Sequence, residues 1–370
     1  MKYNEKICSI ALTQCEGIGL IGAKRLVDRM GSATEVFEQR KELPSLFSDF
    51  RPILTEALGH DELFKRAEQE MEFAEKFGIQ CLTLKDEAYP SRLRECEDAP
   101  VALFFQGNTD LNRLHVVAMV GTRHATNYGT NFCIEFLRDL AQLCPDILVV
   151  SGLAYGVDIN SHREALSNGL STVGVLAHGL DRIYPYAHRH VAKEMQQNGG
   201  LLTEFLTHTN PDRQNFVQRN RIVAGISDAV IVVESAAKGG SLITAGLAGD
   251  YNRECFAVPG RRDDLYSTGC NQLIRDHKAQ ILLNAEEFVK AMNWQSEPQR
   301  VQNVQRSLFL DFTPEEEQII QLLSTRGDLH INTLVVETGL PINKMSALLF
   351  ELEMKGVVRA YTGGSYHLLG

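Results

Sequence analysis

The 370-residue sequence has little of what marks a secreted, membrane or metal-binding protein. No apolar run approaches the ~20 residues that span a bilayer. The polar N-terminus is not followed by the apolar segment and small-residue cleavage site of a signal peptide. The eight cysteines are scattered, without a Cys-x-x-Cys pair or histidines at metal-ligand spacing. These absences predict a cytoplasmic protein with reduced thiols, no bound metal and no membrane partner.

Positive charge and the common nucleotide-binding motifs are also scarce. The chain has 37 Lys and Arg against 47 Asp and Glu, a net charge of -10, which argues against coating nucleic acid by bulk charge. The net charge does not exclude a local basic groove, because arginines lie beside Gly, Asn or Pro in several predicted loops. The Walker motif and the Gly-x-Gly-x-x-Gly fingerprint are both absent, and no cofactor is predicted.

Residues 1–80 are predicted to form a helical domain, because apolar residues recur at helical spacing over 7–12, 23–30 and 63–77. Between the first two helices lies Gly17-Ile18-Gly19-Leu20-Ile21-Gly22. This turn resembles a helix-hairpin-helix, where free N–H groups at a helix start can hold a phosphate. A tight turn in a small helical bundle explains the same residues, and both interpretations stay open.

Residues 81–292 are predicted to form an α/β domain with an extended, doubly wound and mostly parallel sheet. Apolar strand-like runs alternate there with helical stretches, as expected of strands buried on both faces. The runs are 116–121, 147–152, 172–177, 201–203, 229–233, 255–258 and 280–283, and shorter strand candidates at 80–84 and 101–106 precede them. Right-handed crossovers would place the ends of the parallel strands along one edge.

The C-terminal part is predicted to be a linker, 293–310, followed by a winged-helix domain, 311–370. The linker is rich in Gln, Asn and Ser. Thr313-Pro314-Glu315-Glu316 has the residues of a helix start. Helices near 316–323, 331–338 and 342–355 are followed by a strand–turn–strand pattern over 357–369.

Small and basic residues follow the predicted strands. Ser151-Gly152 and Gly239-Gly240-Ser241 could present backbone N–H groups to a phosphate, with Arg123 as a fork-shaped donor above them. Any one of these loops is explained by a tight strand-to-helix turn. Several such loops at one sheet edge, with arginines among them, predict a site for a polyanion.

No catalytic residue is predicted. Asp158, Asp181 and Glu204 are carboxylates at strand ends, and His178 and His188 lie near them in sequence. No pair has the spacing of a catalytic dyad, a nucleophile elbow or a metal site. These carboxylates are predicted to hold loops and arginine side chains through hydrogen bonds.

Seven stretches occur in the order that one known family has. They are 120–123 (Val-Gly-Thr-Arg), 151–158 (Ser-Gly-Leu-Ala-Tyr-Gly-Val-Asp), 179–185 (Gly-Leu-Asp-Arg-Ile-Tyr-Pro), 219–225 (Arg-Asn-Arg-Ile-Val-Ala-Gly), 240–245 (Gly-Ser-Leu-Ile-Thr-Ala), 257–260 (Ala-Val-Pro-Gly) and 267–274 (Ser-Thr-Gly-Cys-Asn-Gln-Leu-Ile). In these residues the sequence resembles the DNA-processing protein A family (DprA, also called Smf). The resemblance extends over the whole predicted sheet domain.

The resemblance implies a non-enzymatic protein with an extended Rossmann-like domain. Such a protein would bind and protect single-stranded DNA entering the cell, form a homodimer and help load the RecA recombinase during natural transformation. Carried over by motif position, the implied DNA-binding residues are Gly121, Thr122, Arg123, Arg189, Arg213, Lys238, Gly239, Gly240 and Ser241. The loop-supporting residues are Ser151, Gly152, Asp158, Asp181, Glu204, Arg219, Asn220 and Arg221. The chain has Gly239-Gly240-Ser241 where the family often has Ser-Gly-Ser.

Two other functions are alternatives to DNA binding by the sheet domain. A Rossmann-like nucleotide hydrolase of the phosphoribohydrolase kind also places Gly-rich loops at this edge, but it needs a catalytic carboxylate. A transcription regulator would read DNA through the winged helix, where eight acids against four bases over 311–370 oppose phosphate. In the favoured interpretation, bases would rest on Tyr155, Tyr184 or Phe216.

Overall fold

The computed structural model describes residues 3–48, 50–294, 312–361 and 364–369. Its contacts divide the chain into two compact units, residues 1–295 and 296–370. The predicted linker, 293–310, lies outside the described residues after Trp294. None of the helices in the described ranges has the length and apolar content that crossing a bilayer requires.

The first unit begins with a group of helices: α1 (Glu5–Thr13), α2 (Leu20–Met30), α3 (Ala33–Glu38), α4 (Leu43–Leu46), α5 (Ile53–Ala57) and α6 (Asp61–Lys76). α2 ends at Gly31, whose φ of 91° is the left-handed conformation that glycine tolerates. α3 starts at once, because the Ser32 side chain accepts the N–H of Glu35. The helices predicted from apolar spacing are present.

The sheet of this unit has the strands β1 (Gln80–Thr83), β2 (Ala102–Gly107), β3 (Val116–Val120), β4 (Leu148–Ser151), β5 (Ser171–Val175), β6 (Gly199–Thr203), β7 (Ala229–Val232), β8 (Glu254–Ala257) and β9 (Gln280–Ile281). Their order is β1-β2-β6-β5-β4-β3-β7-β8-β9. Among the described strands of this sheet, the antiparallel pairs are the two that β2 forms, with β1 and with β6. The predicted α/β class with a mostly parallel sheet is confirmed.

The strand order reverses at β3. From β3 the chain winds outward through β4, β5 and β6 on one side, and it then returns to build β7, β8 and β9 on the other. The carboxyl ends of β3 and β7 therefore border a crevice, the position where open α/β sheets bind ligands.

Helices cover both faces of the sheet: α7 (Ser91–Arg94), α8 (Asn127–Leu143), α9 (Val157–Ser167), α10 (Arg189–Met195), α11 (Arg213–Gly225), α12 (Ser241–Asp250), α13 (Thr268–Arg275) and α14 (Ala285–Ala291). Along β3, Val116, Ala118 and Val120 pack into one hydrophobic core, whereas Val117 and Met119 pack into a second core on the other face. Burial on both faces explains why the strand is apolar without alternation. α1–α6 share the first core, and the domain boundary predicted at residue 80 stays a prediction.

The second unit has the helices α15 (Pro314–Arg326), α16 (Ile331–Thr338) and α17 (Ile342–Met354), and the strands β10 (Leu329–His330), β11 (Val358–Tyr361) and β12 (Ser365–Leu368). α15 begins where its sequence predicted a helix start, and Thr313 and Glu316 form a capping box there. β12 pairs with β11 and also with β10. The sequence did not predict β10, because two residues are too short to show a strand pattern.

Candidate nucleic-acid interface

A cleft of about 630 Å³ lies at the carboxyl ends of β3 and β7. The loops after β3, β4 and β7 line it, and α11 forms a further wall. All the predicted DNA-binding residues except Arg189 line this cleft: Gly121, Thr122, Arg123, Arg213, Lys238, Gly239, Gly240 and Ser241. The fold thus brings together residues that are more than 100 positions apart in the sequence.

The loop after β3 is held on both sides. The Thr122 N–H donates to the carbonyl of Glu234 at 2.8 Å, and its carbonyl accepts the N–H of Val157 at 3.2 Å. A Cβ on Gly121 would lie 2.4 Å from Cγ2 of Val157, so only glycine lets α9 approach this closely. The loop therefore presents the exposed Arg123 side chain from a fixed backbone.

The loop after β7 forms the other side. The Ser241 hydroxyl donates to Oγ of Ser235 at 2.9 Å, and a Cβ on Gly239 would lie 2.3 Å from the same oxygen. Within the described residues, the amides of Gly240 and Ser241 donate no hydrogen bond. They stand at the start of α12, where the helix dipole favours an anion. This loop can cradle a phosphate.

Two guanidinium groups lie near the ring of Phe216 on α11. The central carbons of Arg123 and Arg219 are 5.0 and 5.9 Å from its ring centroid. The Tyr184 ring centroid lies 6.0 Å from that of Phe216. Aromatic and cationic groups therefore lie close together where α11 meets the loop after β3, an arrangement suited to stacked bases and their phosphates.

A buried charge pair supports the floor of the cleft. The side chains of Asp158 and Arg219 both lie against Gly152, where a Cβ would be within 2.5 Å of their polar atoms. Arg219 is 5% exposed and donates to the Val175 carbonyl. Burial raises the pKa of Asp158, and the Arg219 charge opposes that rise. Burial likewise lowers the pKa of Arg219.

The remaining predicted loop-supporting residues divide into two groups. Ser151, whose hydroxyl donates to the Met119 carbonyl at 2.6 Å, is buried beneath the cleft, and Asn220 lines it. Three others lie outside the cleft-lining set: Asp181, Glu204 and Arg221. Arg221 and Glu204 form a buried ion pair, and Arg221 also donates to the Asp98 carbonyl. The Asp181 carboxylate accepts hydrogen bonds from its neighbour Arg182.

Arg189 lies outside the cleft-lining set as well. It is exposed at the start of α10, and its guanidinium carbon is 4.5 Å from the ring centroid of Tyr186. Tyr186 follows Tyr184, which lines the cleft, by two residues. Arg189 therefore lies five residues after a residue of the cleft but does not itself line it.

Two supporting residues were missed from the sequence. The buried Glu234 carboxylate accepts the Thr126 N–H at 2.8 Å and its hydroxyl at 2.6 Å, which fixes the start of α8. The buried His162 ring contacts the Thr172 hydroxyl at 2.7 Å and the Gly152 carbonyl at 2.5 Å. Burial lowers the pKa of His162 to about 4. The sequence does not predict such contacts, because a single acidic residue or histidine in an apolar segment does not indicate which distant groups it will contact.

Asp158 is the single carboxylate among the described residues that line the cleft. One of its oxygens accepts the Ala154 N–H at 3.2 Å. Across the described ranges, no group of three or more His, Cys, Asp or Glu side chains is arranged to hold a metal ion. The charges that face the cleft are mainly those of Arg123, Arg213, Arg219 and Lys238.

The chain matches two family models. The model described as DNA recombination-mediator protein A matches residues 80–293, and the model described as DprA winged helix domain matches residues 306–364. Protein Smf from Synechocystis sp. is 28% identical to the chain over 398 residues, which cover 99% of each protein. The similarity thus extends beyond the sheet domain.

Solved structures have the same fold. DNA processing protein A from Streptococcus pneumoniae aligns with a TM-score of 0.63 and 28% identity, over 79% of this chain and 98% of its own. DNA processing protein A from Helicobacter pylori, described for its single-stranded DNA binding mode, aligns with a TM-score of 0.53 and 32% identity, over 59% of this chain and 97% of its own.

Proposed function

The chain belongs to the DNA recombination-mediator protein A (DprA/Smf) family of DNA-binding proteins, and we propose that it binds single-stranded DNA in the cleft at the ends of β3 and β7. The observation that carries the proposal is the convergence of Arg123, the free amides at the start of α12 and Phe216 on one cleft. The H. pylori relative, whose description concerns single-stranded DNA, supports it.

Each part of the cleft would bind a different part of the strand. A phosphate would accept hydrogen bonds from the N–H groups of Gly240 and Ser241 and from the guanidinium of Arg123. Bases would stack on Phe216 and Tyr184, because every base has a π-face. Contacts of this kind position the strand without reading base edges, so little sequence preference is expected.

Arg213 and Lys238 would add charge at the rim, and Arg189 would extend the track past Tyr184. Both Arg213 and Lys238 are exposed and line the cleft. Each phosphate that such a side chain neutralises releases counterions, and binding therefore weakens with salt. A basic groove of this size is compatible with an acidic chain, because salt screening limits the range of interactions between exposed charges to about 8–10 Å.

The protein would act as a binding protein and not as an enzyme. A phosphoribohydrolase-like hydrolase needs a carboxylate that reaches the substrate in its required protonation state. Asp158 is buried, one of its oxygens holds the Ala154 amide, and it lies against Arg219. These contacts favour a positioning role for Asp158.

The wider role is proposed from the family. The protein would protect incoming single-stranded DNA and help load RecA in natural transformation, as a homodimer in the cytoplasm. The domain division at 1–80, 81–292, 293–310 and 311–370 belongs to the same proposal. All eight cysteines are buried and none of them forms a disulfide in the described structure, which suits a reducing compartment.

The test is equilibrium binding of the full chain to a labelled single strand and to its duplex over a salt series. We expect the single strand to bind more tightly at every salt concentration, with log affinity falling linearly with log salt. Oligonucleotides of different sequence should bind alike. Tighter binding of the duplex, or hydrolysis of a nucleotide at the cleft, would contradict the proposal.

A further inference from the structure

The outward face of α17 carries an apolar stripe. Ala347, Phe350 and Met354 recur at helical spacing, and Phe350 and Met354 are 63% and 74% exposed. The opposite face of the helix, around Leu348 and Leu352, is buried in the core of the unit. At about 100° per residue, the stripe points directly away from that core. Phe350 and Met354 therefore lie outside the hydrophobic core of the described unit.

This face would have to read bases if the unit bound a duplex in the usual winged-helix way. The third helix of such folds enters the major groove and needs polar and basic side chains there. Here the lysines on and next to α17 are already paired. Nζ of Lys344 lies 2.5 Å from Glu315, and Nζ of Lys355 lies 2.6 Å from the buried Glu316. The stripe itself offers no hydrogen-bonding group to a base edge.

Acidic side chains flank the stripe. On the helical wheel Glu351 lies on one side of Phe350 and Met354, and Glu353 lies on the other; both are exposed. Glu353 also accepts the Ala360 N–H at 3.1 Å. Residues 311–370 carry eight acids and four bases, so the charge of the whole segment has the same sign as these flanks. Both features repel a phosphate backbone.

A second copy of the chain fits this surface poorly. A two-fold contact uses the same patch on both partners, and the acidic flanks of each copy would then face those of the other. Like charges at such short distances across an interface lower the affinity of the two partners. A helix with apolar anchors at i, i+3, i+4 and i+7 and with Lys or Arg beside them matches both the stripe and its flanks.

We propose that the outer face of α17 is a docking surface for a basic amphipathic helix of a partner protein. Phe350 and Met354 supply the apolar contact, and Glu351 and Glu353 select a basic partner. The surface is separate from the residues assigned to single-stranded DNA, and the proposal does not depend on that function.

The test uses the full chain and a synthetic, labelled peptide of about 18 residues with Leu at helical spacing and Lys at the other positions. A second peptide has Glu in place of every Lys. We expect the Lys peptide to bind and the Glu peptide not to bind. Phe350→Ser combined with Met354→Ser should weaken binding of the Lys peptide at least tenfold while leaving single-stranded DNA affinity unchanged.

Two further variants separate the contributions. Leu114→Ser removes an exposed apolar side chain of the sheet unit, and it should leave peptide affinity unaltered. Glu351→Gln should weaken the Lys peptide at low salt and have little effect at high salt, where exposed charges are screened. Circular dichroism and thermal unfolding of each variant check that the chain is still folded.

Three results would overturn the proposal. Equal peptide affinity of the folded double variant and the native chain would show that the stripe is not the contact. A dimer that the double variant abolishes would assign the surface to a second copy. Loss of duplex binding in the double variant would assign it to DNA.

Discussion

The guanidinium of Arg123 lies over the ring of Phe216, with its central carbon 5.0 Å from the ring centroid. Arg123 comes from the loop after β3 and Phe216 from α11, so the contact joins two walls of the cleft. It places a guanidinium, a group that can bind phosphate, directly beside an aromatic ring, a surface on which a base can stack. That spacing is what a single strand presents, with a charge and a flat base in every nucleotide.

Arg123→Ala should weaken binding of single-stranded DNA by about 1.5–3 kcal/mol, because it removes a charge-assisted hydrogen bond to phosphate. Fluorescence anisotropy with a labelled oligonucleotide measures the change. Arg138→Ala is the matched control, since Arg138 is an exposed arginine on α8 that pairs with Asp139. If the folded Arg123→Ala chain bound DNA as tightly as the control, Arg123 would not be part of the DNA-binding site.

Arg189→Ala and Arg213→Ala should each lower affinity to a similar degree for all sequences. Each lost phosphate contact should reduce the salt slope by about 0.7, the value for single strands. The measurement is the slope of log affinity against log salt for each variant. An unaltered slope in Arg189→Ala would place that side chain outside the DNA track, which would then end at Tyr184.

Ile281→Asp should dissociate the proposed homodimer. β9 is an edge strand of the sheet, and Ile281 on it and the following Leu283 are both exposed. Exposed edges and apolar side chains favour pairing with another copy, and a carboxylate there opposes it. Light scattering of the full chain should give a dimer for the native sequence and a monomer for the variant. A native monomer at tens of micromolar would reject the homodimer.

A chain that ends after Trp294 should bind single-stranded DNA within about threefold of the full chain. Trp294 stacks on His115 at 4.5 Å between ring centroids, so this end point keeps its packing on the sheet unit. Loss of the acidic residues 311–370 should leave affinity unchanged or slightly higher at low salt. A loss of more than tenfold, with DNA binding by the isolated winged helix, would favour the transcription-regulator alternative.

His162 should make stability depend on pH. Its pKa is lowered from 6.5 to about 4, mainly by burial, with Arg219 and His188 adding to the effect. Below pH 6.5 the unfolded chain takes up a proton that the folded chain refuses, so stability falls as pH falls towards 4 and is constant above 6.5. Between pH 7.5 and 5.0 the contribution of His162 should lower the free energy of unfolding by about 2 kcal/mol.

Urea unfolding of the native chain and of His162→Gln at those two pH values isolates this contribution. The raised pKa values of Asp158 and Glu204 act in the opposite direction, but both acids are present in both chains. The variant should lose less stability than the native chain on going to pH 5.0. Equal losses in the two chains would show that His162 is protonated in the fold.

Periodicity and composition predicted the architecture because those signals are local. The continuous apolar run of β3 indicated a strand buried on both faces, and the capping residues before α15 indicated a helix start. The edge at which the glycine-rich loops meet followed from the parallel direction of the strands. β10 could not be predicted, because its two residues pair with β12 from far along the chain.

The candidate site was only partly predictable. Gly121, Arg123 and Ser241 follow strands, and small or basic residues there are a visible signal. The burial of Arg219, its contact with Phe216 and the hydrogen bonds of Glu234 depend on packing between distant segments. The position of Arg189 over Tyr186 depends on the course of one loop, which the sequence does not specify.

Photo-crosslinking tests the central claim most directly. A single strand that carries 5-iododeoxyuridine crosslinks to aromatic side chains that stack on it, and mass spectrometry of the digested full chain identifies the attached peptides. We predict attachment at Phe216 or Tyr184 and its loss in Arg123→Ala at matched DNA concentration. Crosslinks confined to residues 312–369 or to α1–α6 would contradict the account.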